Sequence, residues 1–562
     1  MAKHIDDIKS LGVITSGSLA EGLEMRLDPS YSVEQVRAGK FVVVEGSEFD
    51  FFCMITDVML DASSASILRD PPPRSSLLSD VLAGDHTYAT VSLKPMLMLE
   101  RKIEAKDFNR EDDLRPVKSI PAHFSPVREA SNADIAKVFG EEDQKKRYFN
   151  LGTPLDMDNV DVCLDLDRFI ERSNGIFGKT GTGKTFLTRL VLAGMIRSNK
   201  AVNLIFDMHS EYGWQTRSES GAGKDSFVKG LKNIFGNKVL ICTLDPESAS
   251  QRNISVDYEI EIPLNSIEVE DIEPLQDELK LHPTAIETAY ILRNRFGKSW
   301  LQRLIEQDAA DLKDWADEIG ANKESLAALY RKLGKIKNLK FVVERSEKQI
   351  EGASSNKASI NKLVQELRSG KHIDLEFGRV SNMLAYLLVA NLISRRIHQA
   401  WVDDAEKYMS TQKLEDRPRP LMITIEEAHK FLNPSAARQT IFGTIARELR
   451  KYFVSLLVVD QRPSGIDDEI ISQLGTRITS LLNDEKDIQA VFTGVSGASA
   501  LRNVLASLDS KQQALILGHA TPMPIVVKTR FYGPDFYAAM GMQDEKEKVE
   551  SSAKIALQFP PG

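Results

Sequence analysis

Short apolar stretches separated by turn residues fill the first hundred positions of the chain. From Ile8 to about Arg101, runs such as GKFVVVEG, FDFFCMITDVML and YATVSLKPMLMLE alternate with segments rich in glycine, proline and serine. Many short strands bounded by turn residues are typical of a small barrel. The pattern therefore predicts an N-terminal β-barrel domain over residues 1–125.

Strands and helices alternate in the second part of the chain, which starts near Tyr148. The predicted strands are NLIFD at 203–207, KVLICTLD at 238–245, LMITIEE at 421–427, VSLLVVDQ at 454–461, TRITSLLN at 476–483, ALILG at 514–518 and IVVKTRF at 525–531. Strands that are apolar almost throughout are buried on both faces, as in a parallel sheet covered by helices. Residues 126–535 are therefore predicted to form an α/β domain.

Two segments depart from this alternation. Between Phe227 and about Leu392 the apolar residues follow a helical period among many charges, as in ESLAALYRKLGKIKNLK, which predicts a helical insertion over 227–392. The last residues, 536–562, are charged with an apolar end, and their pattern fits a short helix or a disordered tail equally well.

Composition excludes several classes of protein. A chain of 562 residues with 42% hydrophobic and 27% charged residues is expected to fold into two or three ordinary domains. Its longest nearly uncharged apolar run, Met383–Ile393, is shorter than the roughly 20 residues that span a bilayer. Because the first residues also lack an apolar signal core, we expect a cytoplasmic protein without a membrane partner. Cys53, Cys163 and Cys242 are too widely spaced for a disulfide framework or a zinc site.

The formal net charge of −9 argues against a surface that is basic all round. A protein that coats nucleic acid normally carries such a surface, so any contact with DNA has to be local. A ring of subunits meets this condition, because a few basic side chains per subunit then line one pore. The charge alone neither predicts nor excludes a DNA partner.

The segment GKTGTGKT at 178–185 matches the pattern G-x-x-x-x-G-K-[ST] between an apolar stretch and an amphipathic helix. In a phosphate-binding loop of this kind, glycines let backbone N–H groups converge on phosphate oxygens, the lysine reaches the β- and γ-phosphates, and the threonine holds Mg²⁺. The motif predicts a RecA-like P-loop fold that takes ATP and Mg²⁺ as cofactors. The predicted nucleotide-binding residues are Gly178, Lys179, Thr180, Gly181, Thr182, Gly183, Lys184, Thr185 and Phe186.

Two carboxylates follow the apolar run LMITI at the expected carboxyl end of a strand. Glu426 is predicted to serve as a magnesium-linked carboxylate beside Thr185, and Glu427 as the base that orients and polarises the attacking water. A helix N-terminus that simply favours acidic residues is the alternative. The neighbouring phosphate loop favours the catalytic interpretation.

Polar residues end two further predicted strands. Gln461 follows VSLLVVD, where its amide could sense the γ-phosphate, although an ordinary turn formed by RPSG would also fit. Asp207, His209 and Glu211 alternate in FDMHSEYGW and could contact the nucleotide or water. A network of capping hydrogen bonds is the alternative for these three residues.

A cluster of basic residues, Arg447, Arg450 and Lys451, lies on the predicted helix TIFGTIARELRKYF. Phosphoryl transfer gains from a cation near the developing charge, often supplied by a neighbouring subunit. Composition alone favours a solvated basic helix face instead. Arg477, close to the next strand, is a weaker candidate for the same catalytic work.

Taken together, these motifs resemble the HerA family within the HerA and FtsK group of hexameric DNA translocases. The resemblance includes a β-barrel ahead of the motor, GKTGTGKT, the D-x-H-x-E-Y segment at 207–212, IEEAHKFL, and IARELRKYFVSLLVVDQRPS. It implies a homo-hexameric ring with ATP between subunits and double-stranded DNA in the pore. It also reverses the preference for Arg447 and Arg450, which then act as catalytic residues across the interface.

The resemblance further implies a separate partner protein. HerA proteins pair with a nuclease such as NurA in DNA end processing, and some relatives pair with other effectors in defence against phage. The sequence has no recognisable nuclease constellation, so cutting is expected to come from a partner that docks on the barrel. Family members also use a C-terminal extension as a brace on the next subunit, which here means residues after about Gly533.

Two main hypotheses about function follow. The first is an ATP-driven DNA translocase or helicase, and the second is an ATP-regulated ring scaffold that activates an effector without obligatory translocation. An ATPase that unfolds proteins gains little support, because no aromatic pore motif or protease segment is apparent in the sequence.

Overall fold

The computed structural model describes residues 10–542 except 64–68, 70–86, 104–107, 144–145, 158, 218–226, 381, 439 and 496. Within this part of the chain an N-terminal barrel precedes a long sheet that carries helices on both faces. The predicted fold class, an α/β core of the P-loop type with a small barrel ahead of it, is confirmed.

The barrel is built from antiparallel strands. They are β1 (Ser10–Ser18), β2 (Gly22–Leu27), β3 (Phe41–Glu45), β4 (Phe49–Ala62), β5 (Thr87–Glu100), β6 (Arg115–Pro116) and β7 (Pro126–Glu129). Strands β1, β2, β5, β4, β3 and β7 pair in a closed circle, and β6 pairs with β5 outside it. Alternate residues such as Met25, Val42 and Val44 pack into one apolar cluster inside the barrel. Because β7 closes the circle between β1 and β3, the barrel reaches Glu129, slightly beyond the predicted 125.

The second domain contains one long sheet and two short strand pairs. Its strands are β8 (Tyr148–Pro154), β9 (Val162–Asp165), β10 (Asn174–Phe177), β11 (Val202–Asp207), β12 (Thr216–Arg217), β13 (Phe227–Val228), β14 (Val239–Thr243), β15 (Tyr258–Ile260), β16 (Ile262–Pro263), β17 (Val342–Val343), β18 (Lys357–Ala358), β19 (His372–Glu376), β20 (Leu421–Glu426), β21 (Val454–Asp460), β22 (Thr476–Thr479), β23 (Gln513–Gly518) and β24 (Ile525–Thr529). The long sheet has the order β18-β15-β14-β19-β11-β20-β21-β10-β22-β23-β24-β8-β9. It is parallel from β18 to β22 and antiparallel beyond, so the carboxyl ends of β19, β11, β20, β21 and β10 meet at one edge.

Helices connect these strands. They are α1 (Arg110–Asp113), α2 (Asn132–Phe139), α3 (Leu166–Ile170), α4 (Lys184–Ser198), α5 (Leu231–Phe235), α6 (Pro246–Gln251), α7 (Val269–Ile272), α8 (Gln276–Leu279), α9 (Pro283–Phe296), α10 (Trp300–Glu306), α11 (Leu312–Ile319), α12 (Lys323–Leu333), α13 (Glu347–Ala353), α14 (Ile360–Arg368), α15 (Met383–Thr411), α16 (His429–Leu432), α17 (Ile441–Glu448), α18 (Asp468–Gln473), α19 (Glu485–Val491), α20 (Ala498–Ala506) and α21 (Pro534–Ala539). Among the described residues, no helix combines the length and the apolar character needed to cross a membrane.

Side chains on the two faces of the long sheet pack into two separate hydrophobic cores. Ile205 of β11 packs with residues of α4, whereas its neighbour Phe206 packs with residues of α15 on the opposite face. Successive side chains of a strand point to opposite faces, so an apolar strand supplies both cores. This arrangement holds α4, which begins at the phosphate loop, firmly against the sheet.

The helical part of the second domain is narrower than the predicted 227–392. Strands β14, β15, β18 and β19 lie within that range and belong to the long sheet. Helices without intervening sheet strands occupy only 264–341, between β16 and β17. The strand predicted at 238–245 forms β14, whereas HIDLE, which was not predicted as a strand, forms β19 because it pairs with β14 and β11. At the other end of the chain, α21 begins at Pro534, and residues 543–562 of the predicted tail lie outside the described part.

Candidate nucleotide and cation site

The phosphate loop joins β10 to α4 and has the backbone geometry that its glycines permit. Gly181 and Gly183 have φ values of +80° and +93°, a left-handed conformation that favours glycine. A Cβ atom added at either position would have no neighbouring atom within 4 Å. The loop therefore borders open space, as a cradle for a phosphate group requires. Earlier in the loop, the backbone N–H groups of Gly178 and Lys179 donate to the carbonyls of Asp460 (3.3 Å) and Leu481 (3.2 Å).

A chain of hydrogen bonds connects this loop to the two predicted catalytic strand ends. Thr180 Oγ1 donates to Gln461 Oε1 at 2.5 Å, and Gln461 Nε2 donates to Glu427 Oε1 at 3.1 Å. The sheet order explains the proximity, since β21 lies between β20 and β10. The structure thus brings the phosphate loop, the acidic pair and Gln461 together at one edge of the sheet.

Glu426 is the buried member of the acidic pair. Tyr212 donates its hydroxyl to Glu426 Oε1 at 2.7 Å, and Tyr386 donates to the backbone carbonyl of Glu426 at 3.1 Å. Glu426 Oε2 has no hydrogen-bond partner among the described residues. Burial raises the pKa of Glu426 to about 8, and the nearby Lys184 acts in the opposite direction. A buried carboxylate oxygen without a donor, close to the phosphate loop, fits a ligand of a hard cation such as Mg²⁺.

The loop after β11 reaches the start of α4. Thr185 Oγ1 donates to Glu211 Oε2 at 2.8 Å. The backbone N–H groups of Glu211 and Tyr212 donate to the two carboxylate oxygens of Asp207, at 2.9 and 2.8 Å. Asp207 therefore forms the capping network that was one alternative, whereas Glu211 lies beside a predicted magnesium ligand. His209 is exposed on the same loop.

Arg189 of α4 holds the loop that follows β11 in place through hydrogen bonds. The side chain is only 2% exposed and donates to the carbonyl of Glu211 and, at 2.7 Å, to Thr216 Oγ1. Its guanidinium also lies over the ring of Phe186, which packs against Tyr532 with ring centroids 6.3 Å apart. Phe186, predicted to contact the nucleotide, is thus half-buried against its own chain.

Asp460 and His429 were not predicted as site residues. Asp460 is fully buried at the end of β21 and accepts hydrogen bonds from His429 N (2.7 Å) and from Arg462 N (2.7 Å). His429 Nδ1 lies 3.0 Å from Asp460 Oδ2 and 3.9 Å from Glu427 Oε2. The carboxylate therefore ties the segment after Glu427 to the strand end that carries Gln461. Glu427 itself has a φ of +49°, uncommon for a residue with a side chain.

The sequence feature that could have revealed these contacts is a polar residue next to each predicted site residue at the end of an apolar strand. Asp460 lies directly before Gln461, and Tyr212 directly after Glu211. The sequence draws attention to the more exposed residue of each pair. Only the fold reveals that the buried neighbour holds it in place.

The pairing of His429 with Asp460 predicts a pH-dependent contribution to stability. The hydrogen bond to Asp460 is the main cause that raises the pKa of His429, with Glu427 acting in the same direction and Lys430 against it. A raised histidine pKa means that the contribution is complete below the unfolded pKa and disappears as the pH rises through the folded one. We expect His429→Gln to lower the free energy of unfolding by about 1 kcal/mol at pH 6 and by less at pH 8.

Urea unfolding of both proteins at the two pH values measures this difference. His123→Gln is the control, because His123 is exposed in the barrel domain. A loss that is the same at both pH values in His429→Gln would contradict the assigned ion pair.

The hydroxyl of Tyr212 gives a second stability prediction. Tyr212 is fully buried, so Tyr212→Phe removes the donor to Glu426 Oε1 without leaving a large cavity. An unpaired buried polar group costs about 1–3 kcal/mol, and we expect a loss of that size in urea unfolding. The matched control is Tyr258→Phe, since the Tyr258 hydroxyl donates to Glu366 at 2.9 Å from a half-buried position. An equal loss of unfolding free energy in the two variants would contradict the larger cost expected for leaving the buried Glu426 without its donor.

The predicted arginines lie in different environments. Arg447 is exposed at the end of α17, with its Nε 3.5 Å from Glu469 Oε2. The side chain of Arg450 lies outside the described part of the structure. Arg477 is only 2% exposed and donates at 2.5 Å to the carbonyls of Val491 and Ile471. The suggestion that Arg477 acts across an interface is therefore wrong, because its guanidinium is held inside its own chain.

A phosphate loop, an acidic pair and a polar strand end, joined at the carboxyl edge of a parallel sheet, define a P-loop ATP hydrolase. The family model described as "Helicase HerA, central domain" matches residues 149–397. Residues 149–397 therefore resemble the central domain of HerA helicases.

Individual relatives match over most of their length. The chain is 26% identical to the DNA double-strand break repair helicase HerA of Saccharolobus solfataricus over 448 residues, which covers 78% of this chain and 79% of that protein. It is 24% identical to the protein of the same name from Sulfurisphaera tokodaii, covering 93% of this chain and 95% of that protein. Among solved structures, the bacterial conjugative coupling protein TrwBdeltaN70 is similar at 11% identity with a TM-score of 0.43, covering 71% of this chain and 92% of that chain.

Proposed function

We propose that this chain is an ATP-driven translocase or helicase for double-stranded DNA that works as a homo-hexameric ring. The observation that carries the proposal is the hydrogen-bonded path from Thr180 through Gln461 to Glu427, which links the phosphate loop to the predicted base. Relatives named as DNA double-strand break repair helicases support DNA as the track.

The residues of the site divide the work of ATP hydrolysis. Lys184 and the loop amides bind the phosphates, while Thr185 and Glu426 would hold Mg²⁺, which when bound neutralises charge on the β- and γ-phosphate oxygens. Glu427 accepts a proton from the attacking water as the water oxygen bonds to the γ-phosphorus and the bond to the ADP oxygen breaks. Gln461, bonded to both Thr180 and Glu427, aligns that water with the γ-phosphate.

The charge that develops in the transition state calls for a further cation, which we assign to Arg447 or Arg450 of the neighbouring subunit. Arg447 is exposed, and its two contacts, an ion pair with the exposed Glu469 and a hydrogen bond from Nη2 to the Ala437 carbonyl, are both long at 3.5 Å and therefore weak. Such a side chain can exchange its partner at an interface with little loss of free energy.

Mixed rings test the action in trans. Neither Arg447→Ala nor Lys184→Ala rings should hydrolyse ATP alone, because each variant lacks one half of the shared site. When the two are mixed, phosphate loops from the Arg447→Ala subunits meet intact arginines of the Lys184→Ala subunits, and part of the activity should return. Mixtures as inactive as the separate variants would exclude Arg447 as the shared residue, and the same design with Arg450→Ala tests the other candidate.

DNA stimulation separates the translocase from the alternative, an ATP-regulated ring scaffold. We expect the ATPase rate to rise several-fold with duplex DNA and this gain to fall steeply with salt, because phosphate contacts release counterions. An unchanged rate in the presence of the partner protein would favour the scaffold. We expect the partner, a nuclease or a defence effector, to dock on the barrel, and cross-linking in the native host would identify it.

A further inference from the structure

Three buried carboxylates meet on one face of the long sheet, on strands β11 and β19. Strands β11 and β19 are parallel neighbours whose register pairs Asp207 with Glu376 and Ile205 with Asp374. Residues two apart on a strand share a face, so all three carboxylates point to the side that α4 covers. One oxygen from each of Asp207, Asp374 and Glu376 lies within 4.8 Å of the other two.

These carboxylates are not satisfied by the surrounding protein. All three residues are 0% exposed. Neither oxygen of Asp374 has a hydrogen-bond partner among the described residues, and the same holds for Glu376 Oε1. Glu376 Oε2 accepts from Arg252 Nη2 at 2.7 Å, and within the described part of the chain the Asp207 carboxylate oxygens accept only the backbone N–H groups of Glu211 and Tyr212. A fully buried side chain that presents two free oxygens to two other carboxylates calls for a positively charged ligand.

The local charge supports the same conclusion. Burial and the neighbouring carboxylates raise the pKa of Asp207 to about 7 and that of Asp374 well above its ordinary value. Arg252 pairs with Glu376, and Arg189 favours the ionised form of Asp374 from farther away. Arg252, Arg189 and the Lys184 beside Glu426 do not balance the three buried carboxylates together with Glu426, whose charge acts on Asp374.

The loop after β11 closes over the three carboxylates. A Cβ atom added to Gly213 would lie 2.0 Å from Asp374 Oδ2, so only glycine lets the backbone approach this closely. The same loop carries the N–H groups of Glu211 and Tyr212 that bind Asp207. Any ligand held here is therefore enclosed, and a small ion fits the space better than an organic molecule.

The cluster lies beside the strand that carries Glu426, because β11 is the neighbour of β20, but it is distant from the strand that precedes the phosphate loop. Strand β10, which precedes the phosphate loop, and β19, which carries Asp374, are four steps apart in the sheet. At about 4.8 Å per step, the two strands lie about 19 Å apart. Thr185 and Glu426, the predicted ligands of the nucleotide-linked Mg²⁺, are not members of the cluster.

We propose that Asp207, Asp374 and Glu376 form a second, structural site for a divalent cation that prefers oxygen ligands, such as Mg²⁺, Mn²⁺ or Ca²⁺. Three carboxylates without histidine or cysteine select hard cations. A cation bound at about 2.1–2.5 Å keeps its ligand oxygens no more than about 5 Å apart, in agreement with the observed spacing.

The site has a consequence for the catalytic centre. Asp207 positions the backbone of Glu211 and Tyr212, whose side chains reach Thr185 and Glu426. A cation that fixes Asp207 therefore fixes, through one loop, both predicted ligands of the nucleotide-linked Mg²⁺. The cation itself binds without nucleotide, so this inference does not depend on the proposed function.

Mn²⁺ titration of the full chain, freed of metal by chelation and kept without nucleotide, tests the site. The EPR signal of free Mn²⁺ disappears on binding, and we expect about one Mn²⁺ per chain to bind tightly. Asp374→Asn should weaken this binding at least about tenfold, as should Glu376→Gln. Thr185→Ala and Lys184→Ala should weaken it much less than the two carboxylate variants, since neither residue is a member of the cluster. Asp257→Asn is the carboxylate control, because Asp257 pairs with Lys232 beside the same sheet.

Thermal unfolding of each variant in chelator shows whether it is folded and makes the comparison valid. Mn²⁺ should raise the melting temperature of the unaltered chain and of Thr185→Ala, and it should have no effect on Asp374→Asn or Glu376→Gln. No bound Mn²⁺ in the unaltered chain would overturn the proposal and would mean that the carboxyls share protons instead. Equal binding in a folded Asp374→Asn variant would overturn it as well.

Discussion

Lys184→Ala should abolish ATP hydrolysis and reduce ATP binding below the detection limit of a standard titration. Lys184 begins α4 at the phosphate loop, and its positive charge favours the ionised form of Glu426. Removing a cation that contacts the transferred phosphoryl group in a site shielded from water costs at least about a hundredfold to a thousandfold in rate. Phosphate release measured with saturating ATP and Mg²⁺ gives the rate, and fluorescent ATP analogues report the binding.

A matched control distinguishes the loss of function from a loss of folding. Lys313→Ala changes an exposed lysine of α11, outside the predicted nucleotide site. This variant should keep most of the activity, and both variants should unfold at the temperature of the unaltered chain. Hydrolysis at the normal rate in a folded Lys184→Ala protein would remove the basis for the ATPase assignment of this loop.

Glu427→Gln should bind ATP normally but hydrolyse it about a hundredfold to ten thousandfold more slowly. The amide keeps the size of the side chain and can still meet Gln461 Nε2, which is 3.1 Å away, through its own oxygen. It cannot accept a proton from water, so only the chemical step suffers. Single-turnover kinetics with preformed enzyme and ATP separate this step from binding and product release.

Glu415→Gln, an exposed change outside the site, is the control for the removal of a negative charge. The slow variant should also accumulate ATP-bound rings, which mass photometry or electron microscopy would detect. An unimpaired Glu427→Gln enzyme would refute its role as the base and would shift attention to the neighbouring His429, 3.9 Å from the same carboxylate.

Local sequence patterns predicted the elements of the site but not all of its contacts. The phosphate loop, the acidic pair and Gln461 were each recognisable, because each combines a strand end with a short polar motif of fixed spacing. The helical region was predicted too broadly: it included the predicted strand at 238–245, which forms β14, and it hid β19, which is a strand because it pairs with β11 and β14. The sequence could not distinguish Arg477 from Arg447 as a catalytic arginine, and only the burial of Arg477 shows that it cannot reach a neighbouring subunit.

The sequence by itself determined the barrel pattern, the α/β class, the phosphate loop and the carboxylates that follow the strands. These features depend on neighbours within a few residues, so side-chain period and motif spacing specify them. The tertiary structure alone decided that Thr180 meets Gln461 across 281 residues of sequence, that Asp460 holds His429, and that Asp374 faces Asp207. Such contacts depend on the order in which the strands pair, and this order follows from the packing of the whole sheet rather than from any local segment.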